Sequence, residues 1–223
     1  MAKRLPARSA ADFIPPTPTL PSLRQAAERC TGCDLYRRAT QTVFGEGAAH
    51  AKVVFVGEQP GDQEDVQGHP FVGPAGRLLD KALVEAGIAR TDVYITNAVK
   101  HFKWEPQGKR RKHKRPSAGE IAACRPWLAS ELNAIHPRIL VCLGATAAQS
   151  VLGKVVRIHE SRGRLMRTPW APETVVTIHP SSIFRHRERE QQEAEYRQFV
   201  EDLTLVRNTL QEGERTRERT DAP

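Results

Sequence analysis

The chain has 223 residues, of which 39% are hydrophobic and 27% charged, with a formal net charge of +8. This length suits one α/β domain with short tails, and the basic balance favours a polyanionic partner, nucleic acid being the usual one. No apolar stretch is long enough to span a membrane, and the N-terminus lacks the apolar region of a secretory signal, so we expect a cytoplasmic protein without a membrane partner.

Strands and helices alternate along the predicted elements. Residues 1–21 form a proline-rich arm that we expect to be disordered, residues 22–210 form one domain, and residues 211–223 form a charged, disordered tail. Buried strands are predicted at residues 53–56, 92–99, 138–144 and 174–178, and helices at residues 22–37, 77–86, 117–135, 145–152 and 193–210. This alternation predicts a three-layer α/β/α domain around a mostly parallel, four-stranded central sheet. Residues 101–115 read as a basic, irregular loop.

The residues that follow the first strand are candidates for a ligand site. The apolar run stops at Gly57, and a turn with the sequence G-E-Q-P-G-D (57–62) places Glu58, Gln59 and Asp62 at its mouth. Open α/β sheets bind their ligands at the carboxyl ends of the strands, and glycine lets the backbone approach a ligand closely. An ordinary strand and loop with solvated acids is the alternative for this stretch alone.

Three further motifs follow predicted elements: G-H-P-F-V-G (68–73), T-N-A-V-K (96–100) and H-P-S-S (179–182). Together with the first turn they resemble the uracil-DNA glycosylase superfamily, and its iron–sulfur branch most closely. The basic insert G-K-R-R-K-H-K (108–114) narrows the resemblance to the UdgX type of bacterial enzyme. The resemblance spans the chain from Cys30 to Leu205 and implies a monomeric enzyme that excises uracil from DNA, preferably single-stranded.

Cleavage of the uracil–deoxyribose bond creates positive charge on the sugar and negative charge on the departing base, which must first be flipped into a pocket. Phe71 would supply an aromatic face, although large apolar residues usually pack in the core. Asn97 would read the edge of uracil, unless it bonds to its own turn. His179 would donate a hydrogen bond to the departing base, and Ser181 and Ser182 would hold phosphate.

The resemblance also assigns roles around the first turn. It implies that Gln59 and Gly57 contact uracil, while Glu58 or Asp62 stabilises the cationic sugar or orients a nucleophile. The ordinary hydrolytic iron–sulfur enzymes usually have a small residue at the Gln59 position, so Gln59 favours the UdgX type. The division of roles between the two acids stays open.

The basic insert distinguishes between mechanisms. Its cations form a phosphate-binding patch that would release counterions from DNA, namely Lys109, Arg110, Arg111, Lys112, Lys114 and Arg115. A neutral imidazole is a competent nucleophile, and flanking cations lower the pKa of His113. The resemblance implies that His113 attacks the anomeric carbon after uracil leaves, so that a single turnover ends in a covalent protein–DNA complex. The segment between His101 and the K-R-R run is slightly shorter than the UdgX type suggests. If the shorter segment moves His113 away from the sugar, covalent capture fails while base recognition survives.

Two alternatives differ in chemistry. In a hydrolase that turns over, water would attack the sugar and His113 would only contact DNA. A non-catalytic, basic nucleic-acid-binding protein would retain the uracil and carry a structural zinc site.

The four cysteines indicate metal or thiol chemistry rather than structural disulfides. Cys30 and Cys33 form a ligand pair whose partners must come from Cys124, Cys142 or His101. Iron–sulfur clusters normally take four thiolates, but Cys142 lies in an apolar strand, where a buried free cysteine is common. The resemblance favours a 4Fe–4S cluster on Cys30, Cys33, His101 and Cys124, with zinc as the alternative.

Overall fold

The computed structural model describes residues 9–220, and side chains as far as Arg215. The strands are β1 (Glu46–Gly47), β2 (Val53–Gly57), β3 (Val93–Asn97), β4 (Trp104–Gln107), β5 (Arg110–His113), β6 (Ile139–Leu143), β7 (Leu165–Thr168) and β8 (Ala171–Thr177). The helices are α1 (Leu20–Ala27), α2 (Asp62–Gln67), α3 (Pro74–Ala86), α4 (Ala118–Ile135), α5 (Ala145–Leu152), α6 (Ile158–Ser161) and α7 (Arg189–Thr220). In this part of the chain no helix is long and apolar enough to cross a bilayer.

The central sheet has the strand order β1-β3-β2-β6-β8-β7. Its four inner strands are parallel and correspond to the four predicted strands, whereas β1 and β7 are antiparallel edge strands. The prediction of a four-stranded sheet is therefore wrong by two edge strands. Neither has the continuous apolar run of a strand buried on both faces, because β1 has only two residues and β7 is partly exposed.

Helices cover both faces of the sheet, which confirms the three-layer α/β/α class. Val53 and Phe55 of β2 point to the core shared with α3 and α7, while Val54 and Val56 point to the core shared with α4 and α5. Successive side chains of a strand point to opposite faces. A strand between two helical layers therefore needs an unbroken apolar run, and β2 has one.

Local signals set the ends of two helices as predicted. The Ser117 side chain accepts the Glu120 N–H, and the Glu120 carboxylate accepts the Ser117 N–H at 2.6 Å, so a capping box starts α4. Helix α3 ends before Gly87, whose φ of 73° is easily adopted by a residue without a Cβ atom.

Residues 101–115 are not the irregular loop that the sequence predicts. Strands β4 and β5 pair in an antiparallel hairpin, with Gln107 opposite Arg110 and a two-residue turn between them. The first turn residue, Gly108, has a φ of 59°, as turns of this length require. The sequence does not predict this hairpin, because its strands are mostly polar and lack the alternation of apolar and polar residues that indicates a strand.

Residues 1–8 of the predicted arm and 221–223 of the predicted tail lie outside the described residues, and parts of the remainder are ordered in helices. Residues 10–13 form a short 3-10 helix in which Ala10 is buried against the cluster around α1 and α4. Helix α7 continues past residue 210 to Thr220, and Glu214 on it pairs with Lys52 at 2.5 Å. A charged helix anchored by few contacts has the composition of a disordered tail, which explains the difference.

Candidate active site

The loops that follow β2, β3, β6 and β8 converge on a cavity of about 950 Å³ at the carboxyl edge of the sheet. The lining includes the predicted side chains Glu58, Gln59, Asp62, Phe71, Asn97, His113, His179, Ser181 and Ser182. The topology thus brings together motifs that are more than a hundred residues apart in the sequence, as expected for parallel strands that share one edge.

One wall of the cavity is tightly packed around Phe71. A Cβ atom at Gly57 would lie 2.3 Å from Oδ1 of Asn97 and 2.7 Å from Cζ of Phe71. A Cβ atom at Gly76 would lie 1.6 Å from the Phe71 carbonyl oxygen, and Phe71 itself has a φ of 57°. Glycine at these positions is therefore what admits the aromatic ring beside the Asn97 amide.

Asn97 presents an unsatisfied acceptor to the cavity. Its side chain is 2% exposed, and among the described residues its Oδ1 atom has no hydrogen-bond partner. A buried polar atom without a partner costs free energy, and such atoms are rare in folded proteins. The atom is available to a donor on a bound ligand.

His179 faces Phe71, with ring centroids 5.9 Å apart. Its Nδ1 atom accepts the Ser181 N–H at 3.2 Å and lies 2.8 Å from the Ser181 hydroxyl. Burial lowers the pKa of His179 to about 4, with further lowering by His113 and Arg185. The ring is therefore neutral near pH 7, and because Nδ1 is an acceptor, the proton lies on Nε2, from which it can be donated.

His113 stands at the end of β5 with its half-exposed ring over the cavity. Its Nε2 atom lies 2.8 Å from Nε2 of Gln59 and 3.6 Å from Oε1 of Glu58. The pKa of His113 is lowered, chiefly by partial burial and secondarily by Arg185, while Glu58 opposes the shift. The direction is the predicted one, but the cause is burial and not the flanking lysines of the insert.

Gln59 connects the first turn to the hairpin. Its Oε1 atom accepts the Lys103 N–H at 3.0 Å, and its Nε2 atom donates to the Lys114 carbonyl oxygen at 3.0 Å. The amide orientation is fixed by these bonds, so the group that faces His113 is a donor and Nε2 of His113 is unprotonated. The side chain that was expected to contact uracil has both ends engaged by the hairpin.

Arg111, predicted to bind DNA phosphate, joins the hairpin to the domain through two ion pairs. Its guanidinium pairs with Asp62 at 2.5 Å and with the buried Asp65 at 2.6 Å. It also lies over the rings of Phe102 and Trp104, at 5.5 and 5.6 Å from their centroids. Asp62, a predicted catalytic acid, is occupied by this pairing.

The other cations named with the insert are divided between the cavity, which Arg115 lines, and the outer part of the hairpin. Lys109, Arg110 and Lys112 are exposed, whereas Lys114 pairs with Glu105 at 2.8 Å. The structure therefore leaves Lys109 and Arg110 available to a polyanion, and it engages Lys114 within the hairpin.

Two residues at the cavity have no signal in the sequence. Thr146, in the first turn of α5, donates from its hydroxyl to Oε2 of Glu58 at 2.5 Å. Phe184, in the 3-10 helix Pro180–Arg185, is 51% exposed at the cavity mouth beside Arg185. A threonine and a phenylalanine in such contexts usually pack locally, and only the three-dimensional arrangement distinguishes them.

Three of the four cysteines share one region, in the cluster around α1 and α4. Cys30 and Cys124 are buried in the cluster around α1 and α4, with Cys33 packed against it. The Trp127 indole nitrogen lies 3.2 Å from Sγ of Cys30, and the Lys100 N–H donates to Sγ of Cys124 at 3.2 Å. Cys142 lies instead in the sheet core under α4 and α5.

His101 is buried near the same region. Its Nε2 atom lies 2.9 Å from the Thr42 hydroxyl, which donates to the carbonyl oxygen of Ala27 in the cluster of Cys30. Its Nδ1 atom is buried and, within the described chain, has no hydrogen-bond partner. Burial lowers the pKa of His101 to about 4, so the ring is in the neutral form that binds metals.

Cys30, Cys33 and Cys124 supply thiols of the kind that a cluster binds, but among the described residues no three His, Cys, Asp or Glu side chains are placed to hold a metal ion. Burial raises the pKa of Cys124 to about 12 and also raises that of Cys33. Thiols in such surroundings stay protonated unless a metal replaces the protons. The orphaned Nδ1 atom of His101 is the fourth available donor.

Known proteins resemble this chain over most of its length. The model of the Uracil DNA glycosylase superfamily, built from the sequences of its members, matches residues 44–204 of this chain. The Type-4 uracil-DNA glycosylase of Thermotoga maritima is 41% identical over 167 residues, which cover 74% of this chain and 83% of that protein. The Type-4 uracil-DNA glycosylase of Archaeoglobus fulgidus is 36% identical over 180 residues, covering 77% and 87% respectively. The chain therefore belongs to the uracil-DNA glycosylase superfamily.

Proposed function

We propose that this protein, a DNA N-glycosylase of that superfamily, excises uracil from DNA and is then joined covalently to the abasic sugar through His113. The observation that carries the proposal is the unprotonated Nε2 atom of His113, held beside Glu58 in the cavity that Phe71 and Asn97 line. An unprotonated nitrogen beside a base-binding cavity can act as a nucleophile once the Gln59 amide no longer donates to it.

Base recognition and bond cleavage follow from three side chains. Uracil packs against Phe71, its imide N–H donates to Oδ1 of Asn97, and the Asn97 amide donates to a carbonyl oxygen. As the C1′–N1 bond breaks, its electron pair goes to uracil, and the Nε2–H of His179 donates to a carbonyl oxygen where negative charge develops. The carboxylate of Glu58 faces the sugar, which gains positive charge.

Capture then forms one bond. The lone pair on Nε2 of His113 attacks C1′, a nitrogen–carbon bond replaces the broken one, and the Nδ1 proton is released to solvent while uracil takes up a proton. Gln59 must withdraw its donor from Nε2, and the Lys114 carbonyl oxygen at 3.0 Å already accepts from the same nitrogen. The step therefore needs only the loss of the hydrogen bond between Gln59 and His113.

The cavity mouth favours single-stranded DNA. Phe184 offers an exposed aromatic face beside Arg185, and Lys109 and Arg110 add exposed positive charge. Stacking on aromatic side chains with cations along the backbone is how proteins bind single strands. A duplex would first have to release the uracil from its stack, at a cost of a few kcal/mol.

The test is incubation of the wild-type protein with a uracil-containing oligonucleotide, single-stranded or in duplex, followed by a denaturing gel and intact-mass measurement. We expect one protein per DNA strand, with the mass of protein plus oligonucleotide minus uracil, formed faster on the single strand. A thymine-containing oligonucleotide is the control. Free abasic DNA in excess of protein would show a hydrolase that turns over, and intact uracil DNA would leave only binding.

The pH dependence of capture follows from the lowered pKa of His113. A neutral imidazole attacks and a protonated one does not, so the rate falls only when the pH drops through the lowered pKa. We expect the capture rate at pH 6.5 to stay above half of its plateau at pH 8, because the pKa of His113 is lowered, whereas a histidine with the ordinary pKa of about 6.5 would be half-protonated there. Capture rates measured from pH 5 to 8 check this, and a halved rate at pH 6.5 would contradict it.

We further propose that Cys30, Cys33, His101 and Cys124 hold a 4Fe–4S cluster that ties the N-terminal segment to α4. Replacement of Cys124 by alanine is expected to lower the iron and sulfide bound per protein by more than half. The matched control is Cys142→Ala, since Cys142 is equally buried but lies in a different core. Zinc in place of iron, or equal losses from both variants, would contradict this assignment.

A further inference from the structure

The buried hydroxyl of Thr146 is hydrogen-bonded to the carboxylate of Glu58, which lines the cavity. Thr146 is 2% exposed, and its Oγ1 atom donates to Oε2 of Glu58 at 2.5 Å. The same atom accepts the Nε–H of Arg115 at 3.1 Å. Arg115 Nε also lies 4.0 Å from Oε2 of Glu58.

These contacts have a fixed direction. A threonine hydroxyl has one proton, and an arginine can only donate. Because Thr146 accepts from Arg115, its own proton is directed to Glu58, so a chain of donors runs from Arg115 through Thr146 to Glu58. Charge-assisted hydrogen bonds are the stronger class, and a donated bond from a cation polarises the hydroxyl further.

The hydrogen bond from Thr146 to Oε2 of Glu58 also sets the position of the other carboxylate oxygen, Oε1. With Oε2 of Glu58 bound to Thr146, Oε1 faces His113, 3.6 Å from Nε2. The side chain of Glu58 is 23% exposed, so a carboxylate without this bond would rotate towards water. The position of the negative charge beside the sugar therefore depends on a residue that does not touch the sugar.

Thr146 has no other evident task in its helix. The N-terminus of α5 is capped by Gly144 without a side-chain hydrogen bond, so the Thr146 hydroxyl does not cap the helix. Its carbonyl oxygen, not its hydroxyl, accepts from Ser150 at 2.9 Å. The hydroxyl is thus used for Glu58 and Arg115.

We propose that Thr146 is a positioning residue that orients Glu58 for bond cleavage and capture, with Arg115 setting the direction of its hydroxyl proton. This inference rests on the proposed function, because it assigns Glu58 a task in the reaction. It predicts that the loss of one hydroxyl slows the chemistry without weakening DNA binding.

The test compares Thr146→Val, which keeps the shape and removes the hydroxyl, with Thr146→Ser, which keeps the hydroxyl. Uracil release is measured under single-turnover conditions, together with the Kd for a uracil-free oligonucleotide and the melting temperature. We expect release to slow roughly tenfold or more in the valine variant, the scale of a hydrogen bond to a charged group. The serine variant should stay within about threefold of wild type, with the Kd unchanged in both.

The matched control is Ser150→Ala, which alters the same helix through the Thr146 carbonyl oxygen and leaves Glu58 untouched. A valine variant at the wild-type rate, a serine variant as slow as valine, or an equal loss in the control would each overturn the role of Thr146. A wild-type protein that leaves uracil in place would overturn the proposed function itself. Release without covalent capture would overturn only the capture step, because the release rate still tests Thr146.

Discussion

Replacement of His113 by alanine is expected to abolish the covalent protein–DNA product while uracil is still released. The side chains assigned to recognition and cleavage stay in place, since His113 belongs to the hairpin, whereas Asn97 ends β3 and Glu58 and His179 belong to loops that follow strands of the central sheet. Water can enter the space that the imidazole leaves and attack the sugar. A denaturing gel should show no shifted band, and abasic DNA should accumulate beyond one equivalent of protein.

The control for this variant is His50→Ala, an exposed histidine that does not line the cavity. It should form the covalent product at the wild-type rate. A shifted band that persists in His113→Ala would identify a different nucleophile, and loss of uracil release would mean that His113 is needed for cleavage as well as for capture.

Removal of a buried charge that contacts Asn97, beside the cavity, should have the largest effect on stability. Lys100 and Glu131 are fully buried and paired at 2.5 Å, and Lys100 also donates to the Asn97 carbonyl oxygen at 2.9 Å. The Glu131 carboxylate accepts from Tyr94 and Thr96. Breaking such a pair by removing one partner leaves a buried charge uncompensated, so Lys100→Met is expected to lower the free energy of unfolding by about 3–5 kcal/mol.

Urea denaturation followed by circular dichroism measures this change. The matched control is Lys52→Met, which removes the exposed partner of Glu214 and should cost less than about 1 kcal/mol because solvent screens surface pairs. Equal losses in the two variants would show that the buried pair contributes no more than a surface contact.

The sequence predicts the parts of this fold that depend on local or periodic patterns. The apolar run of β2 and the capping box at Ser117 both indicate their elements directly, because burial on two faces and the needs of a helix end restrict the residue types. The convergence of the site loops follows from parallel strands sharing one edge. These features need no knowledge of distant partners.

The sequence does not distinguish neighbours whose roles depend on long-range contacts. Arg110 and Arg111 are identical residues in one basic run, yet Arg110 is exposed while Arg111 pairs with Asp62 and Asp65. Thr146 and Glu58 are 88 positions apart, and nothing around either of them indicates the bond between them. Such pairings arise only when the sheet has brought the loops together.

The alternation of β5 has a consequence for how the hairpin can change in evolution. Arg111 and His113 lie on the face towards the domain, opposite Pro106 and Trp104, while Arg110 and Lys112 lie on the outer face. An insertion at the Gly108–Lys109 tip would lengthen the hairpin into solvent and leave His113 in place. A deletion of Lys112, between Arg111 and His113, would place these two side chains on opposite faces of the strand. Length is therefore free to vary at the tip, whereas the spacing from Arg111 to His113 is fixed by the pleat.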